Sequence, residues 1–145
     1  MKITINENSN LTDTEIIINC KCTDENVLKI IASLRAYDHK LTGTKDNKTF
    51  IIDSDNVLYC DTVDKKTFIY TQTEVFETPL KLYELEEKLS SSDFFRASKS
   101  TIINLAKIKS LMPDFGGRLE VTLENDEKLN ISRQYAPYMK QKLSL

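Results

Sequence analysis

The chain carries one histidine, His39, no tryptophan and only three glycines, Gly43, Gly116 and Gly117. A lone histidine leaves the usual hydrolytic sets without a base, and three glycines, of which Gly116 and Gly117 make a turn, do not build a glycine-rich loop that cradles phosphates. His39 reads as a solvated surface residue. The cysteines are also few. Cys20, Cys22 and Cys60 make an odd count that suits a reducing compartment, and with one histidine beside them they do not compose a zinc site. Cys60 lies in an apolar run and reads as packing. Carboxylates are plentiful but fall in turns and on helix faces, as Asp53 and Asp55 do. No catalytic set assembles, so a protein that is not an enzyme, with no cofactor, metal or small-molecule substrate, is expected. No apolar run approaches the roughly eighteen residues of a membrane helix. The start, Met1 to Asn6, alternates apolar and polar and lacks the apolar centre of a signal peptide. A cytoplasmic protein is expected.

What is present is an ordinary globular composition. The 145 residues are 40% hydrophobic and 29% charged, enough for one domain with a small appendage. The net charge of −2 gives no global basic field, so any contact with nucleic acid must come from a local patch. The charges are unevenly spread. Residues 46–93 hold 5 Lys/Arg against 11 Asp/Glu, whereas residues 94–145 hold 9 against 5. The cations gather in the C-terminal part.

In chain order, residues 1–45 read as a β-β-α extension. Ile3 and Ile5 alternate with polar residues, and Glu15 to Cys22 is strand-like around Ile16-Ile17-Ile18. Thr23 is the expected cap of a helix along which Val27, Leu28, Ile30, Ile31 and Leu34 recur at helical spacing. From Leu41 the pattern is mostly short strands separated by turn formers, beginning with Leu41 to Lys45 and Thr49 to Asp53, and the second domain is taken as residues 46–145. The tight connections at Asp46-Asn47-Lys48, Asp64-Lys65-Lys66 and Gln72–Glu74 demand antiparallel pairing. Two helices interrupt the strands. One is expected to be capped by Thr78 with Pro79 in its first position and Leu82, Leu85 and Leu89 inward. The other is expected to be capped by Ser132, with Ala136, Met139 and Leu143 along one side. The fold class is α+β, mainly antiparallel β.

The stretch from Phe94 to Asn104 combines an apolar base with Arg96, Ser98, Lys99 and Ser100. Two cations and two hydroxyls between buried neighbours describe an exposed loop that presents hydrogen-bond donors, which phosphates and base edges accept. A single polar turn is commonplace on protein surfaces. Here three loops carry cations: Asp64-Lys65-Lys66, Arg96 to Ser100, and Ser132-Arg133-Gln134. The third opens a helix, whose free N–H groups attract phosphate. On a compact β scaffold they make an edge suited to reading a DNA groove.

These residues carry a resemblance. The run from Asn56-Val57-Leu58-Tyr59-Cys60 through the Leu82–Leu89 helix, the Phe94-Phe95-Arg96-Ala97-Ser98-Lys99-Ser100-Thr101-Ile102-Ile103-Asn104 motif, Gly117 to Leu123, and Ile131-Ser132-Arg133-Gln134-Tyr135 is similar to the LytTR family of bacterial DNA-binding domains. The resemblance covers roughly the last hundred residues. It implies a β-β-β sandwich with short helices that reads DNA by inter-strand loops rather than by a recognition helix. Carried over, the contacts are Lys65 and Lys66, then Ser98, Lys99 and Ser100, then Arg133. Arg133 is the leading candidate for a guanine contact, Arg96 supports the loop or binds phosphate, and Asn104 fixes backbone. Histidine or asparagine stands in many relatives where this chain has Ser98 and Lys99, so base preference does not transfer. Only about 45 residues precede the match, too few for a receiver domain, which implies the stand-alone subgroup of transcriptional regulators. Such a regulator is expected to bind paired direct repeats in double-stranded DNA as a homodimer or as two cooperating monomers. A membrane-protein regulator is a further implied partner. The alternative is a protein-interaction module that docks a membrane or regulatory partner through the N-terminal extension.

Overall fold

A computed structural model describes all residues except Asp13, His39, Ser91 and Ser92. The expectation for His39, and the Ser91-Ser92 part of the Ser90-Ser91-Ser92-Asp93 segment expected to end the leucine-striped helix, lie outside the described residues. The chain divides into two compact units, Met1–Leu34 and Arg35–Leu145.

Helix α1 (Glu25–Asp38), most of which lies in the first unit, begins where the sequence indicates. Its cap is Asp24 rather than Thr23: the Asp24 carboxylate accepts the Val27 N–H at 3.0 Å. Val27, Ile30, Ile31 and Leu34 form a half-buried stripe, as the spacing predicts. The strands expected at residues 3–5 and 15–22 do not form. A strand needs a neighbour to satisfy its N–H and C=O groups, and these segments have no ladder partner. Their apolar side chains stand in solvent, with Ile5 83% and Ile17 76% exposed.

Among its described residues, the second unit contains ten strands: β1 (Lys40–Lys45), β2 (Lys48–Asp53), β3 (Val57–Val63), β4 (Lys66–Thr71), β5 (Val75–Thr78), β6 (Phe94–Arg96), β7 (Thr101–Asn104), β8 (Ile108–Pro113), β9 (Leu119–Leu123) and β10 (Lys128–Ile131). All pair antiparallel, in one seven-stranded sheet of order β2-β1-β5-β4-β3-β7-β6 and one three-stranded sheet of order β10-β9-β8. The expected antiparallel β fold with short helices is observed, its layers drawn from two hydrogen-bonded sheets. The sequence boundary after residue 45 falls inside the β1–β2 hairpin, whose strands pair from Lys40↔Asp53 to Lys45↔Lys48. β1 thus belongs to the second unit.

Both faces of the long sheet are covered. On one side Val57, Cys60, Ile69 and Ile102 pack with Leu82, Leu85 and Leu89. On the other, Leu58, Ala97 and Ile103 pack with Leu119, Val121, Ile131 and Met139. Burial on both faces explains why the start of β3, Val57 to Cys60, reads as an unbroken apolar run instead of an alternation. Asn104, 3% exposed, donates to the Val57 carbonyl at 2.9 Å and accepts the Ala106 N–H at 3.0 Å, so it fixes backbone as implied.

Two helix starts differ from expectation. Helix α2 (Leu82–Lys88) begins after Lys81, whose N–H donates to the Glu84 carboxylate at 3.3 Å. Thr78 cannot start it, because Thr78 is still paired with Thr67 in the sheet. Helix α3 (Ala136–Lys142) follows Tyr135 without a side-chain cap. The Ser132 N–H is held by the Ala97 carbonyl at 2.9 Å, and its own carbonyl accepts from Tyr135 and Ala136. Ser132 closes a turn ahead of the helix and does not cap it.

Candidate nucleic-acid interface

The loop after β6 stands on a buried residue, Ala97, which has no exposed surface. The Ala97 and Ser98 N–H groups both donate to the Thr101 carbonyl, at 2.9 and 3.3 Å. The Ser98 hydroxyl accepts the Ser100 N–H at 3.2 Å and lies 3.4 Å from the Ser100 hydroxyl. The serines therefore stiffen the loop as well as lining it.

Arg96 does not point outward. Its Nε donates to the Ser98 carbonyl at 2.8 Å, its Nη2 to the Lys99 carbonyl at 2.6 Å, and its Nη1 to Glu86 Oε2 of α2 at 2.7 Å. One planar fork thus clamps two successive loop carbonyls and is neutralised from behind, a geometry that lysine cannot reproduce. Of the two roles implied for Arg96, the structure displays loop support.

Ser98, Lys99, Ser100, Ser132, Arg133 and Gln134 line one open concavity. Its two walls are joined by the hydrogen bond from the Ser132 N–H to the Ala97 carbonyl. Lys65 and Lys66 are not in this concavity. They lie at the β3–β4 tip, at the same end of the long sheet. Asp61 pairs with Thr101, and the Thr62 N–H donates to the Ser100 carbonyl at 2.9 Å, so the hairpin extends beyond the loop. The tip is a two-residue turn with Asp64 at φ 51° and Lys65 at φ 66°. Lys65, Lys66, Lys99 and Arg133 are exposed and make no salt bridge among the described residues. By contrast, Lys107, Lys109 and Lys128 each face a carboxylate. Lys65, Lys66, Lys99 and Arg133 stand at the sheet end where the loops gather, with Asp64 beside Lys65 in the hairpin turn.

Beneath the hairpin, the Tyr59 and Tyr70 rings stack at 4.2 Å and the Tyr59 hydroxyl donates to Glu127 Oε2 at 2.8 Å. Burial, together with the neighbouring carboxylates, pushes the Tyr70 hydroxyl up to about 12 and Tyr59 further. Burial pushes the Cys60 thiol up to about 12, which leaves it inert as a nucleophile. Asp61 has one carboxyl oxygen buried without a hydrogen-bond partner. Burial raises its titration above the ordinary aspartate value, a hydrogen bond with Tyr70 partly opposes this, and the charge of Glu127 adds to it. A carboxyl raised in the fold binds its proton more tightly there than in the unfolded chain. Stability is then full below the ordinary aspartate range and falls as pH rises through the folded value. Asp61→Asn cannot ionise, so this variant is expected to be more stable than the parent near neutral pH. Urea unfolding at acidic and neutral pH measures this, and equal or lower neutral stability would refute it.

Sequence reasoning missed Glu86 and Gly117. Glu86 carried no signal beyond a charge on a solvated helix face. Gly117 sat in a recognised turn, but its contact with the Arg133 side chain depends on the register of β9 and β10. Among the described residues, no group of three or more His, Cys, Asp or Glu could hold a metal ion, and no helix is long and apolar enough to cross a membrane.

A family model described as LytTr DNA-binding domain matches residues 47–144. An uncharacterized HTH-type transcriptional regulator of Staphylococcus aureus strain NCTC 8325 is 31% identical, over 100% of this chain and 99% of that protein. A similarly described protein of strain MRSA252 is 30% identical over the same shares. Despite the helix-turn-helix label of those relatives, strands separate each helix here from the next: β1 to β5 lie between α1 and α2, and β6 to β10 between α2 and α3. The solved LytTr DNA-binding domain of a Bacillus cereus protein superposes with a TM-score of 0.71 at 25% identity, over 74% of this chain and 98% of that one. The family match over residues 47–144, the full-length relatives and the superposition agree, and the chain belongs to the LytTR family of DNA-binding domains.

Proposed function

We propose that this protein is a transcriptional regulator that reads duplex DNA with the loops at one end of its long sheet. The carrying observation is the concavity in which Lys99 and Arg133, both without a carboxylate partner among the described residues, stand beside Ser98, Ser100 and Gln134. Arg133 would grip O6 and N7 of a guanine with its fork, and the Gln134 amide suits the N6/N7 edge of an adenine. Lys99 and the two serines would contact a base edge or phosphate beside it. Lys65 and Lys66 would meet the backbone on the flanking side, and Arg96 would hold the reading loop in shape. Two copies would occupy paired direct repeats. Selection of genomic fragments with the purified chain, followed by titration over a salt series, tests the reading. Specific binding should fall with a log–log slope of about −0.9 for each phosphate contacted. A chain that enriches no sequence and binds independently of salt would end the proposal.

Lys65 supports this reading from another direction. Glycine or asparagine fills a φ of 66° at lower cost than lysine. The chain nevertheless places a cation there. Lys65→Gly is therefore expected to raise stability by roughly 0.5–1 kcal/mol while weakening DNA binding. Thermal unfolding and binding measured on one preparation check the opposed signs, and unchanged binding would remove Lys65 from the interface.

The exposed apolar residues of the N-terminal unit favour a second role. Ile16, Ile17 and Leu28 are 62%, 76% and 55% exposed, more apolar surface than a solvated tail needs. Homodimerisation or docking of a membrane-embedded regulator would use this segment. Gel filtration of the full chain against a chain beginning at Arg35 tests it, and an identical oligomeric state would count against the dimer.

A further inference from the structure

Resting on the reading of Arg133 above, the geometry points to Gly117 as a positioning residue for DNA recognition: we propose that its bare α-carbon is the floor that aims the Arg133 guanidinium. Ile131 pairs with Leu119, and continuing that register beyond the strand ends sets residue 133 opposite residue 117. A Cβ built on Gly117 would lie 3.1 Å from Arg133 Cγ and 3.3 Å from Cδ, closer than side chains ordinarily pack. The stem of Arg133 thus lies against the turn between β8 and β9, where a Cβ on residue 117 would push it aside by a few tenths of an ångström.

That floor is firm. The Asp114 N–H donates to the Arg118 carbonyl at 2.8 Å, the Asp114 carboxylate accepts the Phe115 N–H at 2.7 Å, and Arg118 Nε donates to the Phe115 carbonyl at 3.0 Å. Arg133 itself is exposed and has no ion pair among the described residues to orient it. A long side chain with free rotamers loses more entropy on binding than one already laid along a surface, so the turn contributes preorganisation. The small sheet, which carries none of the candidate cationic loops between its own strands, would in this way set the reach of the guanine-reading fork.

Gly116 supplies an internal control. It also has a positive φ, 76° against 80° for Gly117, so a side chain strains the backbone at either position, yet a Cβ on Gly116 meets nothing within 4 Å. The experiment titrates a selected duplex by fluorescence anisotropy with full-length Gly116→Ala, Gly117→Ala, Gly117→Asn, Arg133→Ala and the Gly117→Ala/Arg133→Ala double variant. Asparagine tolerates positive φ and still carries a Cβ, so it separates crowding from backbone strain. Gly117→Ala and Gly117→Asn are expected to weaken specific binding about three- to tenfold relative to Gly116→Ala, part of what a bidentate base contact is worth. In the Arg133→Ala background the Gly117 change should have no further effect. Equal losses at positions 116 and 117, or an undiminished Gly117 effect without Arg133, would overturn the assignment. If Arg133→Ala binds as the parent does, the base-contact reading has failed and the inference falls with it, an outcome visible without any glycine variant.

Discussion

Arg133→Ala is expected to weaken binding to the selected DNA site by about 1–3 kcal/mol, roughly 5- to 150-fold, and to relax the preference at one base pair. The two parts of that result separate base reading from charge. A guanidinium that only touched phosphate would weaken all sequences alike and lower the salt slope by about one contact. A fork on a guanine edge would lose discrimination at that position. Lysine keeps the charge but not the fork, so Arg133→Lys should recover non-specific affinity and leave specificity low. Anisotropy titrations on the preferred duplex and on a set with single base changes measure both quantities. If Arg133→Ala retains parental affinity and base preference, Arg133 is not a reading residue.

Arg96→Ala is expected to be the most damaging change in the reading loop, although Arg96 need not touch DNA. Removing it leaves the Ser98 and Lys99 carbonyls and Glu86 without their donors. Hydrogen bonds to charged groups are worth about 1.5–3 kcal/mol where shielded, and the Arg96 side chain is 19% exposed. A loss of about 2 kcal/mol in stability, near the low end because Glu86 is half-exposed, is expected together with loss of specific binding. Arg96→Lys distinguishes clamp from charge, since one ammonium cannot span two carbonyls and a carboxylate in a plane. Urea unfolding and DNA titration of both variants measure this. Full specific binding by Arg96→Lys would show that positive charge, not the fork, is what the loop requires.

The legible parts of this protein are those with local causes. The hairpin turns carry Asp, Asn and Lys where a two-residue connection needs them, and β1 to β5 emerge where the short strands read. Leu82, Leu85 and Leu89 recur on one face of α2 and all enter the core. The loop residues 98–100 and 132–134 were recognisable as polar breaks between apolar runs. What failed did so where a local preference met a long-range constraint. Thr78 has the chemistry of a cap but is held in β5 by Thr67. Ser132 has it too, but its N–H is tied to Ala97. Residues 15–22 have strand propensity without a strand beside them, and propensity alone does not satisfy a ladder. Arg96 read equally well as loop support or phosphate ligand until Glu86 was placed behind it.

The alternation of short strands and turns, the leucine face of α2 and the residues that bear charge at the loops are legible without coordinates. Those follow from periodicity, side-chain chemistry and composition, which need no partner to be read. Only the tertiary structure decided which loops share a wall, which cation faces outward and which one turns back as a clamp, and that Gly117 lies under Arg133. These depend on strand order and register, in which residues far apart in sequence become neighbours through hydrogen bonds that no local pattern encodes.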